Sequence, residues 1–119
     1  MSKIDDKIFE TKMIVFTRDN FKCQYEGCNV CGIDNLECAH KIGRTVANRN
    51  HVMRYVHKNF GEVLTFKEAY CILNHPDNMI TSCKKHNDYF SINNHPLEKD
   101  ELIRKIYKKL HWYNYESCE

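Results

Sequence analysis

Two short hooks in the sequence carry residues that could hold a metal ion. "CNVCG" sets Cys28 and Cys31 two residues apart, and the glycine that follows permits a tight turn aiming both thiolates at one point. Further along, "CKKH" offers Cys83 and His86 at the same gap. Three thiolates and an imidazole suit tetrahedral zinc and leave no coordination position open, so such an ion would be structural. Cys23 is a rival ligand, because "CQYEGC" could supply Cys23 and Cys28 instead. Cys38, Cys71 and Cys118 read as buried or free thiols. With seven cysteines, an odd number, one chain cannot pair them all as disulfides. In a reducing compartment, clustered cysteines point to metal.

A second group of residues could move a proton and hold phosphate. His40 closes the apolar stretch "LECAH", and a basic segment follows it. From Lys41 to Gly61 there is no Asp or Glu, while Lys41, Arg44, Arg49, Arg54 and Lys58 supply five positive charges. The formal net charge of +2 says little, whereas this local cluster reads either as a solvated loop face or as a phosphate-binding surface. A neutral imidazole can accept a proton from water near physiological pH, and guanidiniums can hold flanking phosphates.

The elements that must position these groups belong to one domain. The chain has 119 residues, 42% of them apolar, and a domain of this size buries only about two-thirds of its unfolded surface, so a metal staple would help it. No apolar run approaches the roughly 20 residues of a membrane span, and "MSKIDDKIFE" lacks the apolar core of a signal peptide, so a cytoplasmic location is expected. Phe9, Met13 and Phe16 at helical spacing predict a helix over 3–17, with the β-branched pair Ile14 and Val15 weakening its end. Residues 21–42 read as short extended pieces, "LECAHKI" being the strand. "TFKE" opens residues 65–74 with a capping box of Thr65 and Glu68. "NMITS" reads as a short strand running into a helix at about Lys84. The tail, about 97–113, has Pro96 before it, acids in its first turn, Lys108 and Lys109 later, and Leu102, Ile106 and Leu110 on one stripe.

The stretches "FTRDNFKCQYEGC", "CGIDNLECAHKIGR" and "HPDNMITSCKKHND" together resemble the HNH endonucleases, also called His-Me finger or ββα-metal nucleases, over residues 16–91 with one larger insertion. The resemblance implies an α+β fold, a zinc-stapled ββα-metal core over about 16–95 flanked by N- and C-terminal helices. It implies that His40 is the general base, that Asn78 holds the loop of that histidine, and that Asn87 binds a catalytic Mg2+ or Mn2+ ion. His86 stands where a second cysteine is more usual. Family members commonly carry Asp or His just before the base, but this chain has Ala39, so water, phosphate oxygens or another side chain, with Asp88 as the candidate, would complete the ion.

Arg44 and Arg49 would then position the phosphate backbone. The insertion at 51–74, with Arg54, His57 and Lys58, would serve DNA contact or packing. The implied activity is a metal-dependent DNA endonuclease of a bacterial or phage setting. One site cuts one strand, so double-strand cleavage would take a homodimer or two successive events. The alternative is a noncatalytic zinc-finger module that binds nucleic acid or a protein partner. A thiol-redox enzyme built on "CNVC" would need a βαβ context that the sequence lacks.

Overall fold

The computed structural model describes residues 3–110 of the chain, with side chains from residue 10 onward. Phe9, the far end of the expected C-terminal helix and Cys118 therefore lie outside the described side chains. The first helix, α1 (Lys3–Arg18), runs through Ile14 and Val15 to the residue after its expected end. Val15 and Phe16 are buried, and tertiary packing of this kind outweighs the small helix-propensity penalty of a β-branched pair. The helix stops where Asn20 and Phe21 adopt positive φ of 59° and 53°. The Phe21 amide then donates back to the Phe16 carbonyl at 2.8 Å.

The only sheet among the described residues is an antiparallel pair, β1 (Leu36–His40) and β2 (Met79–Cys83). Its register sets Leu36 opposite Cys83 and His40 opposite Met79. One end of the pair therefore carries a metal-type cysteine and the other the candidate base, about 14 Å apart at the usual rise per strand residue. The end of α1 pins this pair. The Arg18 guanidinium donates to the carbonyls of Pro76 and Met79 at 3.0 and 2.7 Å, and the Asp19 carboxylate accepts from the Thr81 amide at 2.9 Å.

Between the strands stand α2 (Val46–Phe60) and α3 (Phe66–Leu73). Thr45 caps α2 by accepting the Asn48 amide, and Gly61, at φ 72°, ends it in the left-handed conformation a glycine takes most easily. The expected capping box of Thr65 and Glu68 opens α3. After β2 comes α4 (Pro96–Leu110), which includes the expected start of the C-terminal helix and buries Ile103, Ile106, Tyr107 and Leu110. Val52 and Val56 of α2, Ile72 and Leu73 of α3, and these α4 residues make the larger core together with Ile42. Each such buried aliphatic contributes about 1.5–3 kcal/mol. Residues 51–74 thus supply much of the core. A smaller cluster of Phe16, Cys23, Leu36 and Cys83 sits beside the metal-type residues.

The helix expected from about Lys84 does not form. Cys83 leads into a turn and then a single 3-10 stretch, Asn87–Phe90. His86, Tyr89 and Ser91 each donate an amide to the carbonyl three residues back, the tighter spacing. The Ile92 amide then bonds the Lys41 carbonyl at 2.8 Å and draws the chain back over β1. In "SINNHP" the paired asparagines and Pro96 favour turns over helix propagation. The molecule is thus a small α+β fold of four helices and a two-stranded sheet among its described residues. No described helix is long and apolar enough to cross a membrane.

Candidate metal centre and candidate active site

Cys23, Cys28, Cys83 and His86 converge, their ligand atoms all within 4.8 Å of one another. Cys83 Sγ lies 3.2 Å from His86 Nδ1, Cys23 Sγ lies 3.9 Å from the same nitrogen, and the Cys28 and Cys83 sulfurs are 4.0 Å apart. Tetrahedral zinc with ordinary bond lengths would separate two sulfurs by about 3.8 Å and a sulfur and a nitrogen by about 3.6 Å. The cluster is therefore the size of a Cys3His centre and could bind a metal such as zinc.

Cys31 of the expected ligand set is exposed and stands outside this cluster, and the alternative, Cys23, takes its place. The reason is strand alternation. Lys22 and Cys31 face each other in an isolated antiparallel bridge, and the next residue, Cys23, turns its side chain the other way, into the protein. Gly27, at φ 81°, then bends the chain so that Cys28 comes back to Cys23. The Tyr25 ring stacks on the His86 imidazole at 4.0 Å and 10°, which restrains the plane of that ring. Burial opposes ionisation of Cys83, yet hydrogen bonds from the His86 backbone and from Cys23 and Cys28 hold its pKa below the ordinary thiol value. Cys38, half-buried and not one of the four converging residues, is pushed by burial up to about 11. Cys71 is buried in α3.

At the opposite end of the sheet His40 is half-buried. Burial and then the Arg44 guanidinium push its pKa below 6.5, so the imidazole is neutral at physiological pH. Its Nε2 lies 3.4 Å from Asn74 Oδ1. An amide oxygen only accepts, so the contact favours the tautomer with the proton on Nε2 and leaves the Nδ1 lone pair free. Asn78 is fully buried and braces the loop after His40. Its Oδ1 accepts from the Ile42 amide at 2.9 Å, while its Nδ2 donates to the Ile42 and Leu73 carbonyls at 2.9 and 2.7 Å.

The basic residues divide. Arg44 donates to the Tyr70 hydroxyl at 3.2 Å, and the Arg49 guanidinium lies 4.7 Å from the Phe66 ring centroid and 4.4 Å from that of Tyr70. Arg54 and Lys58 are exposed but turned away, about 140° and 180° around α2 from Arg49. Lys41 is half-buried, its pKa lowered by burial and by Arg18 and Lys105.

Asn87 donates its side-chain amide to the Glu37 carboxylate at 3.0 Å. Glu37 and His40 are three residues apart on β1, an odd spacing, so Glu37 and the Asn87 bonded to it lie toward the face opposite the imidazole. Asp88 is exposed, and Ala39, fully buried, has no donor atom to offer. Glu37, Tyr70 and Asn74 join these groups without a motif to mark them in the sequence. Tyr70 and the C-cap residue Asn74 stand one turn apart at the end of α3, and that spacing is the available signal. Comparison of the chain with family models, with curated proteins and with solved structures finds no match.

Proposed function

We propose that this protein hydrolyses phosphodiester bonds in DNA, with His40 as the base that accepts a proton from the attacking water. The observation that carries the reading is the arrangement at the end of β1: a neutral imidazole, a loop braced by buried Asn78, and two guanidiniums gathered on α3 beside it. Asn74 keeps the Nε2 proton in place, Nδ1 takes the proton from water, and Arg44 and Arg49 hold the phosphate oxygens. The Cys/His centre at the far end of the sheet ties the 23–28 loop to β2 and stays out of the reaction.

The Mg2+ or Mn2+ ion implied by the resemblance would neutralise charge on the phosphate and the leaving oxygen. The residues expected to hold it fit poorly. Asn87 has an oxygen donor of the right type, but its side-chain amide bonds the Glu37 carboxylate on the other face, Asp88 is exposed, and Ala39 adds none. The same feature favours a second reading, a noncatalytic zinc module that binds nucleic acid or a protein partner.

Supercoiled plasmid incubated with the zinc-loaded protein in Mg2+, Mn2+ or EDTA separates the two. Conversion to open-circle or linear DNA supports the nuclease, and retardation of intact plasmid in both Mg2+ and Mn2+ supports the module. Partial rescue of Asn87→Ala by raised Mn2+ would assign Asn87 to a catalytic ion despite its bond to Glu37.

A further inference from the structure

Tyr70 of α3 brings together two cations that the sequence separates. The Arg44 and Arg49 guanidinium carbons lie 6.0 and 4.4 Å from the centroid of its ring. Arg44 also donates to its hydroxyl, and Phe66, one turn earlier on α3, flanks Arg49 at 4.7 Å. Cations are attracted to the faces of aromatic rings within about 6 Å, so the rings hold both side chains without neutralising them.

Among the described residues, neither guanidinium forms an ion pair with a carboxylate. The Glu68 carboxylate, on the same helix, is occupied by the Thr65 amide. Arg49 Nε is buried and has no hydrogen-bond partner. A buried N–H with no acceptor is uncommon in a folded protein and points to a missing acceptor. Two planar donor groups on one ring, neither paired with a carboxylate, suit an oxyanion with several acceptor oxygens.

We propose that Arg44, Arg49 and Tyr70 form a discrete phosphate-binding subsite next to His40, in which the Tyr70 ring is the platform that makes the two arginines act as one site. The ligand is a phosphate group of a nucleic-acid backbone, recognised by charge and shape. Asn74, which caps the end of the same helix, contacts His40 Nε2, so the helix that carries the phosphate site also reaches the imidazole. This deepens the hydrolytic reading and rests on it for the identity of the ligand.

The test is a titration of the zinc-loaded protein with inorganic phosphate, followed through the arginine Nε–H resonances, and repeated with a short DNA duplex. The Arg49 guanidinium, held against the Tyr70 and Phe66 rings, reports through its Nε–H signal. The Arg44 and Arg49 signals should move along one saturating curve. Tyr70→Leu, which removes ring and hydroxyl together, should weaken phosphate binding about tenfold, the loss expected when cation–π support and a charge-assisted hydrogen bond go together. Tyr70→Phe keeps the ring, so Arg49 should still respond while Arg44 loses most of its response.

Independent, non-saturating drifts of the two arginines would overturn the proposal, as would an unchanged affinity in folded Tyr70→Leu. If Tyr70→Leu does not fold, Tyr70→Phe decides, and an unaltered Arg44 response there overturns the platform role. Response to the duplex without response to phosphate would also overturn it, since contacts other than these arginines would then carry DNA binding. Phosphate binding is read without turnover, so a protein that responds but cuts nothing keeps the subsite and loses the nuclease, and the converse result does the reverse.

Discussion

Replacing Asn78 by Ala should do more damage than any other single change at a polar side chain near the candidate active site. The side chain is 0% exposed and makes three hydrogen bonds, all to backbone groups: the Ile42 amide and the Ile42 and Leu73 carbonyls. Alanine leaves those groups buried without partners, and each such orphan costs about 1–3 kcal/mol, reduced where water can enter the space left behind. The sum expected is about 3–5 kcal/mol, a large share of the roughly 5–15 kcal/mol that stabilises an ordinary domain. Urea unfolding followed by circular dichroism, with zinc held constant, measures it directly.

Asn78→Asp sharpens the test. Its carboxylate would set an oxygen against two carbonyl oxygens, and only the protonated acid can donate to one of them. The folded-state pKa of that acid must then lie above its unfolded value. The stabilisation from the protonated form is fully present below the unfolded pKa and is lost as pH rises through the folded one. The variant should therefore approach the parent at acid pH and fall away toward neutrality. A loss under about 1 kcal/mol for Asn78→Ala, or a pH-independent penalty for Asn78→Asp, would refute the claim that this side chain braces the loop.

Elemental analysis should find about one zinc per chain, lost together with cooperative folding in Cys23→Ser and kept in Cys31→Ser, because structural zinc binding is coupled to folding. The His40 imidazole should titrate below 6.5 by NMR, and Arg44→Ala should move it back up. A depressed histidine pKa stabilises the fold above the unfolded value and loses that contribution as pH falls through the folded one, so Arg44→Ala should flatten the acid side of the stability profile. Arg44→Ala should also flatten the salt dependence of DNA affinity by about one counterion, whereas Arg54→Ala, on the other side of α2, should change neither affinity nor cleavage.

What could be read from the sequence was local. The capping box of Thr65 and Glu68, the stripe of Leu102, Ile106 and Leu110, and the Cys83–His86 hook each lie within a few turns of chain, and each stands where its spacing placed it. Helix α2 was harder to see because its sequence is polar, opens on Val46 and has no acid in its first turn. Its signals were Thr45 at one end and Gly61 at the other. The choice between Cys23 and Cys31 turned on a bridge between Lys22 and Cys31, which spacing alone does not reveal. The helix expected at Lys84 lost to a tertiary bond between Ile92 and Lys41, fifty-one residues apart. The pairing of Asn87 with Glu37 and the gathering of two arginines on Tyr70 are likewise products of the fold.

The most direct measurement of the central claim compares His40→Ala with the parent on supercoiled plasmid in Mg2+ or Mn2+, at matched zinc content and DNA affinity. His40 lies at the end of the sheet away from the Cys/His centre, so its removal should leave folding and metal content intact. The account predicts that cleavage falls by about 10²- to 10⁴-fold, the usual loss when a general base is removed, while plasmid binding is nearly unchanged. Cleavage by His40→Ala at the parental rate, or no cleavage by the parent itself in either metal, would contradict it.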